Sequence, residues 1–301
     1  MYSTKKTSEN KTFSWSQGMT FMLISTFCFS MMQAFIKMMP QFNSFQHIFF
    51  RSIIGWILSV SYLKFYHIPL IGKNSKLLVL RALVGSVSMF SFFYILTRIP
   101  FASSVALKYL SPIFTTIAAI IFLKEKVKPI QWLFFLMSFI GILIMKGFDT
   151  RISFFDLSIG ILSAVFGGLL FIVIKKIGDD DHQLVILHYF MFISATVSGI
   201  ICLFQKGDKV WQLPTPTESL GLLSIGLVGF FAQNYFTKAV QSSEKASILS
   251  NLRYLEAAYA FIIGYFVFNE TYNLQSFMGL FLIFTGLLLS LKFRTKNVPI
   301  D

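Results

Sequence analysis

Long apolar runs separated by short polar or turn-forming segments set the pattern of this chain. The runs fall at roughly 15–38, 46–66, 77–97, 102–123, 129–146, 154–176, 183–204, 217–239, 246–268 and 274–292. Each comes near the roughly 20 residues that a helix needs to cross a hydrocarbon core about 30 Å thick. Lipid offers the backbone no hydrogen-bond partner, so every run is predicted helical. The connections are short, and several carry breakers: Pro40, Pro69 to Gly72, Pro100, Pro129, Gly178 and Pro214 to Pro216. None is long enough to house a domain outside the bilayer. The pattern predicts an all-α integral membrane protein of ten transmembrane helices. The first run exceeds a signal-peptide core and no small-x-small cleavage site follows Met38-Met39-Pro40, so it is expected to remain as helix one.

Composition agrees. Of 301 residues 55% are hydrophobic and 13% charged, against roughly 25% charged in soluble domains. Too little polar surface remains to coat a water-facing globule, which removes cytosolic enzymes, disordered proteins and secreted disulfide scaffolds. Cys28 and Cys202 both lie inside apolar runs, where a structural disulfide framework is not expected. The net charge of +13 would suggest a nucleic-acid partner if it gathered on a soluble face. Here it sits between the runs and reads as topology, with the bilayer as partner and no nucleic acid. With the N-terminus inside, 17 of the 26 Lys and Arg fall on that side, Arg81 among them in the second loop region; 6 fall outside, and Arg51, Lys108 and Arg253 lie within spans. The bias puts both termini in the cytoplasm.

A shift of 145 residues aligns the two halves of the chain. Lys108-Tyr109-Leu110, Phe122-Leu123-Lys124-Glu125 and Gly141 fall on Arg253-Tyr254-Leu255, Val267-Phe268-Asn269-Glu270 and Gly286. A basic-Tyr-Leu triplet in mid-run, an acid closing the same run and a glycine in the next recur in register. Five spans per half is an odd number, so the halves take opposite orientations. Inverted repeats are the build of secondary carriers, with substrate near the midplane between the halves. The units are then a tail at 1–14, a first repeat at 15–146, a second at 147–292 and a tail at 293–301.

These features resemble the EamA-type branch of the drug/metabolite transporter superfamily over nearly the whole chain: ten spans in two five-helix repeats, each half ending in a helix closed by Leu123-Lys124-Glu125 or Phe268-Asn269-Glu270 and followed by a Gly-containing helix. Members of that family carry amino acids, nucleotide-related compounds, vitamins and drugs. Phe49-Phe50-Arg51 with Leu252-Arg253-Tyr254-Leu255-Glu256 is similar to the S-adenosylmethionine uptake carriers of obligate intracellular bacteria. The resemblance implies a carrier in a bacterial inner membrane, a gating or helix-end role for Glu125 and Glu270, and S-adenosylmethionine uptake or exchange as the first substrate to consider. An exporter of amino acids or other metabolites in the same family is the alternative.

Charges at membrane depth cost around 2.5–3.5 kcal/mol each and turn toward a cavity or a partner. Lys108 and Arg253 occupy one repeat position and suit a carboxylate, which Arg can bind bidentately. Glu256, one turn beyond Arg253, is the acid well inside a span, a candidate for an ammonium, a sulfonium or a coupling proton. Together they fit a zwitterionic substrate; mutual neutralisation of Arg253 and Glu256, and snorkelling of Lys108 or Arg51, are the structural alternatives. Tyr109 and Tyr254 share the charged helices and are candidates to stack on a flat ring. Gln33, Gln233 and Asn234 within the runs could bond substrate or bond across helices, and Gln33 and Asn234 are the candidates to line the cavity.

Several chemistries lack their residues. No glycine loop followed by Lys-Ser/Thr powers the chain, and His47, His67, His182 and His188 are scattered with no metal-ligand spacing. No cofactor or metal is expected. Asp179-Asp180-Asp181 is the feature that a membrane-embedded transferase would need, but it has no second copy and reads as a solvated loop. Substrate transport, not catalysis, is the expectation.

Overall fold

The computed structural model describes residues 16–98, 107–146, 153–205, 211–269 and 274–293, and among these every regular element is a helix. In chain order they are α1 (Gln17–Lys37), α2 (Ser44–Phe65), α3 (Ser75–Arg98), α4 (Ser111–Leu123), α5 (Pro129–Lys146), α6 (Phe154–Ile177), α7 (Gln183–Phe204), α8 (Pro216–Gln241), α9 (Ala246–Leu252), α10 (Leu255–Phe268) and α11 (Leu274–Lys292). Six of them, α1, α2, α3, α6, α7 and α8, are individually long and apolar enough to cross a membrane. Stretches of α4, α5 and α11 form shorter apolar helices. Phe204, Phe266 and Phe281 are among many large apolar side chains left on the outside, a surface that suits lipid and would aggregate in water.

Local chemistry starts and stops these helices where the sequence supplies caps. Asn43 accepts the Gln46 N–H at 2.9 Å to open α2, Ser153 accepts the Asp156 N–H at 3.1 Å to open α6, and Thr215 with Glu218 forms a reciprocal capping box on α8. The ends of α4 and α10 match. Lys124 and Asn269, 145 positions apart, both take the left-handed conformation, with φ of 53° and 51°.

Packing is reciprocal between the halves. Helix α1 lies on α8 as α6 lies on α3, α2 meets α7, and α5 meets α11. A Cβ added to Gly141 would fall 2.7 Å from the Gly279 carbonyl oxygen, and one added to Gly286 would fall 2.7 Å from the Phe134 carbonyl oxygen. Positions 134 and 279, like 141 and 286, are 145 apart. The two glycines thus let α5 and α11 approach backbone to backbone through the same contact made twice.

Two expectations change. The run at 246–268 is divided into α9 and α10, and the run at 102–123 takes a tight turn before α4 instead of continuing as one helix. Leu110 N–H bonds the Leu107 carbonyl at 3.1 Å, and Tyr254 N–H bonds the Asn251 carbonyl at 3.1 Å, both three residues back. These are 3₁₀ turns, which in mid-helix mark a hinge or a strained site. In the first half Pro112 supplies no N–H for the Lys108 carbonyl, which breaks the ladder. Ala257 stands at the matching place in the second half. There the Arg253–Glu256 pair, three residues apart, favours the 3₁₀ turn because i and i+3 eclipse in it.

The acid run departs from expectation too. Asp181 is buried; its Oδ1 accepts the Lys73 N–H at 2.8 Å, and its carbonyl accepts from Gln241 Nε2 at 2.8 Å. It ties the α2–α3 and α6–α7 connections to the end of α8. The described residues hold no group of three or more His, Cys, Asp or Glu arranged for a metal.

Candidate functional site

The two 3₁₀ turns face each other. Tyr109 and Tyr254, equivalent in the repeat, meet with ring centroids 6.0 Å apart and are both buried. They wedge the turns apart and are absent from the cavity wall, where their neighbours Lys108 and Arg253 stand. Tyr254 Oη has no hydrogen-bond partner among the described residues.

Glu256 gathers the charges. Lys108 Nζ lies 2.7 Å from its Oε2 and Arg253 Nε 3.2 Å from its Oε1, so one carboxylate is clamped by the basic residue of each triplet. Gln33 Nε2 from α1 adds a third donor at 3.3 Å, and the Ser30 hydroxyl reaches the Glu256 carbonyl at 3.4 Å. Glu256 is only 1% exposed, so this clamp is the main offset to its desolvation. Aromatic rings complete the box. Lys108 Nζ lies 4.8 Å from the Phe92 ring centre and 5.6 Å from that of Phe29, and the Arg253 guanidinium lies 5.8 Å from that of Phe236.

Beside this clamp is a cavity of about 100 Å³ bordered by Gln33, Arg51, Lys108, Ser111, Gln233 and Arg253 together with Phe29, Phe92 and Phe190. A water needs some 10–15 Å³ on the same measure, so the space holds several waters or a group the size of an amino-acid head. Arg51, 2% exposed, donates from Nη2 to Gln233 Oε1 at 3.3 Å and leans with Nη1 on the Met89 sulfur. Gly229 makes this possible, since a Cβ there would sit 2.9 Å from Arg51 Nε.

Four of the eight residues expected from sequence border the cavity: Gln33, Arg51, Lys108 and Arg253. Glu256 stands behind two of them as their counter-ion. Asn234 is off the wall, and the adjacent Gln233 takes that place. On a helix neighbours differ by about 100°, and a run without a polar stripe does not say which one faces inward. Arg81 is the residue sequence reasoning missed. Assigned to a cytoplasmic loop region, it is instead 0% exposed inside α3, its guanidinium 4.2 Å from the Phe190 ring centre. Its position inside an apolar run was the available signal.

The chain matches known proteins over most of its length. A family model described as the EamA-like transporter family matches residues 16–146 and 155–292. The chain is 26% identical over 265 residues to a pseudopaline exporter of Pseudomonas aeruginosa, covering 87% of this chain and 91% of that protein. It is 27% identical over 267 residues to an S-adenosylmethionine uptake transporter of Rickettsia prowazekii, covering 85% of each. A solved crystal structure superposes with a TM-score of 0.79 at 15% identity, over 94% of this chain and 100% of its own, and shows the fold.

Proposed function

The chain belongs to the EamA-like transporter family, and we propose that it is a secondary carrier working by alternating access, with ten spans in two inverted five-helix repeats and both termini in the cytoplasm of a bacterial inner membrane. The substrate is a small zwitterionic metabolite. The observation that carries this reading is Glu256 held between Lys108 of one half and Arg253 of the other, beside a cavity walled by both halves. A substrate carboxylate entering the cavity competes with Glu256 for the two cations. The released carboxylate then accepts the substrate's positive group, so the exchange moves no net charge out of balance. The hinge turns at Tyr109 and Tyr254 lie beside the exchanging residues, where a change of partner is felt by the helices on each side.

S-adenosylmethionine uptake is the first substrate to test, since its head group carries the required carboxylate and cationic centre. Export is the second reading, favoured by the pseudopaline exporter among the relatives; a reversible carrier runs in the direction its gradients impose. A membrane-embedded transferase has lost its support, because Asp181 is engaged in holding loops together and the relatives named above are transporters.

The test is uptake of labelled S-adenosylmethionine by bacterial cells expressing the chain, beside Lys108→Ala and Arg253→Ala at matched membrane abundance. Saturable uptake lost in both variants supports substrate and site together. Uptake that survives both keeps the substrate and removes the site. No uptake above empty vector, with the protein inserted, discards the substrate and turns the search to efflux of amino-acid-like metabolites.

A further inference from the structure

Glu256 balances only part of the charge around the cavity. Arg51 has no carboxylate partner among the described residues, and its Nε has no hydrogen-bond partner there. Arg81 has none for Nε, Nη1 or Nη2. Its Nη1 lies 2.9 Å from where a Gly85 Cβ would be, and its guanidinium stacks on Phe190, so it stands against two residues of the cavity wall. Along α3, Arg81, Gly85, Met89 and Phe92 share one face; Arg51 and Lys108 meet that face at the cavity through Met89 and Phe92, with Arg81 in line behind Gly85 and Phe190. Two fully buried guanidiniums with like charge and unused donors are costly unless an anion completes them. Arginine is the side chain whose planar fork matches carboxylate and phosphate oxygens.

We propose that Arg51 and Arg81 form a second anion subsite, so that the substrate carries at least two anionic groups: one at Lys108–Arg253 and another, carboxylate or phosphate, at the arginine pair. This rests on the carrier reading and narrows its substrate to zwitterions of net negative charge. S-adenosylmethionine, with one carboxylate and a net positive charge, leaves the arginine pair unmet. Ser88 and Ser163, also on the cavity wall, donate their hydroxyls to each other's carbonyls at 2.9 Å and leave oxygen lone pairs to accept from the body of the molecule.

The experiment measures thermal unfolding of the full chain in lipid nanodiscs, titrated with glutamine, glutamate, phosphoserine or citrate at matched ionic strength. Wild type is expected to be stabilised more by the last three than by glutamine, and glutamate against phosphoserine tells a carboxylate subsite from a phosphate one. Arg51→Gln and Arg81→Gln should weaken the multiply charged ligands on the order of tenfold or more, the worth of a charge-assisted hydrogen bond, and glutamine by less. Lys108→Gln should weaken all four. Without ligand, Arg81→Gln should melt no lower than wild type, because it removes an unpaired buried charge. Where Arg81→Gln does not insert, Arg81→Lys, which keeps the charge and loses the fork, carries the same expectation for the multiply charged ligands. Equal or better stabilisation by glutamine, multiply charged ligands unaffected by both arginine variants, or no stabilisation by any probe overturns the inference. Labelled-substrate counterflow in proteoliposomes separates the two readings. Binding with the expected preference but no exchange of the bound probe sinks the carrier and keeps the anion subsite, whereas transport of S-adenosylmethionine that is indifferent to Arg51 and Arg81 does the reverse.

Discussion

The first half and the second half meet the same mechanical demand with different chemistry. In each, a run of membrane-spanning length is interrupted at a basic-Tyr-Leu triplet. In each, the residue after the triplet faces the centre of the molecule: Ser111 in the first, Glu256 in the second. Ser111 is buried on the cavity wall and its hydroxyl has no partner among the described residues. Glu256 carries two ion pairs and a further hydrogen bond. The break in the first half is built into the backbone by Pro112, while the break in the second is tied to the Arg253–Glu256 side-chain pair, which under the proposed mechanism the substrate rearranges. A repeat fold therefore yields an asymmetric site, with its carboxylate and its electrostatically held hinge both in the second half.

The largest expected effect tests that asymmetry. Glu256→Ala strands Lys108 and Arg253 as buried like charges, and breaking a buried pair costs about 3–5 kcal/mol. Ser111→Ala at the equivalent position removes an unpartnered hydroxyl and should be near neutral. Thermal unfolding of both variants in nanodiscs checks this, and comparable losses would end the asymmetric reading. The exchange Ser111→Glu with Glu256→Ser sharpens it. Returning a carboxylate to the other side of the cation pair should recover part of the stability that Glu256→Ser loses.

Much of this organisation was legible in the residues. The apolar runs located the helices, and the shift of 145 residues picked out the triplets and the two glycines that let α5 and α11 approach. The breaks within the fourth and ninth runs were not read. Hydropathy averages over a window and is blind to a three-residue change in hydrogen bonding, although Pro112 was a local cue. Arg81 was absorbed by the charge bias, because counting cations by side treats a residue near a helix end as solvent-exposed. Gln233 and Asn234 could not be told apart, since only tertiary packing decides which of two adjacent polar residues faces the cavity.

A smaller effect compares the two acids that close the repeated helices. Glu125 reaches from the first half to the start of α9 in the second. Its Oε1 accepts the Ala246 N–H at 2.8 Å, and its Oε2 accepts the Ser247 N–H at 3.4 Å and hydroxyl at 2.8 Å. Those N–H groups open a helix and have no intrahelical partner, so a carboxylate there both caps and neutralises. Its repeat equivalent, Glu270, lies outside the described residues. Glu125→Ala should cost about 0.5–2 kcal/mol, the range for losing a cap, and should raise proteolysis at the connection between α8 and α9. A variant as stable and as resistant as wild type would show that the acid does not latch one half to the other.

The smallest effect concerns the helices that correspond at the second position of each half. Helix α2 is capped by Asn43, which does not titrate, and α7 by His182, whose Nδ1 accepts the Leu184 N–H at 3.2 Å. Only an unprotonated Nδ1 can accept, and burial, assisted by the nearby Lys238 charge, holds the His182 pKa below its usual value. The ring also lies nearly parallel to Tyr62, with centroids 6.1 Å apart. The folded protein therefore resists a proton that the unfolded chain takes up as pH falls below about 6.5. Stability from this cap is complete above that pH and declines as the medium is acidified. His182→Asn supplies an acceptor without a titration, so its melting temperature should vary less across the same interval than that of the wild type. Equal slopes in the two proteins would place the pH dependence elsewhere and leave the α2 and α7 caps equivalent in kind.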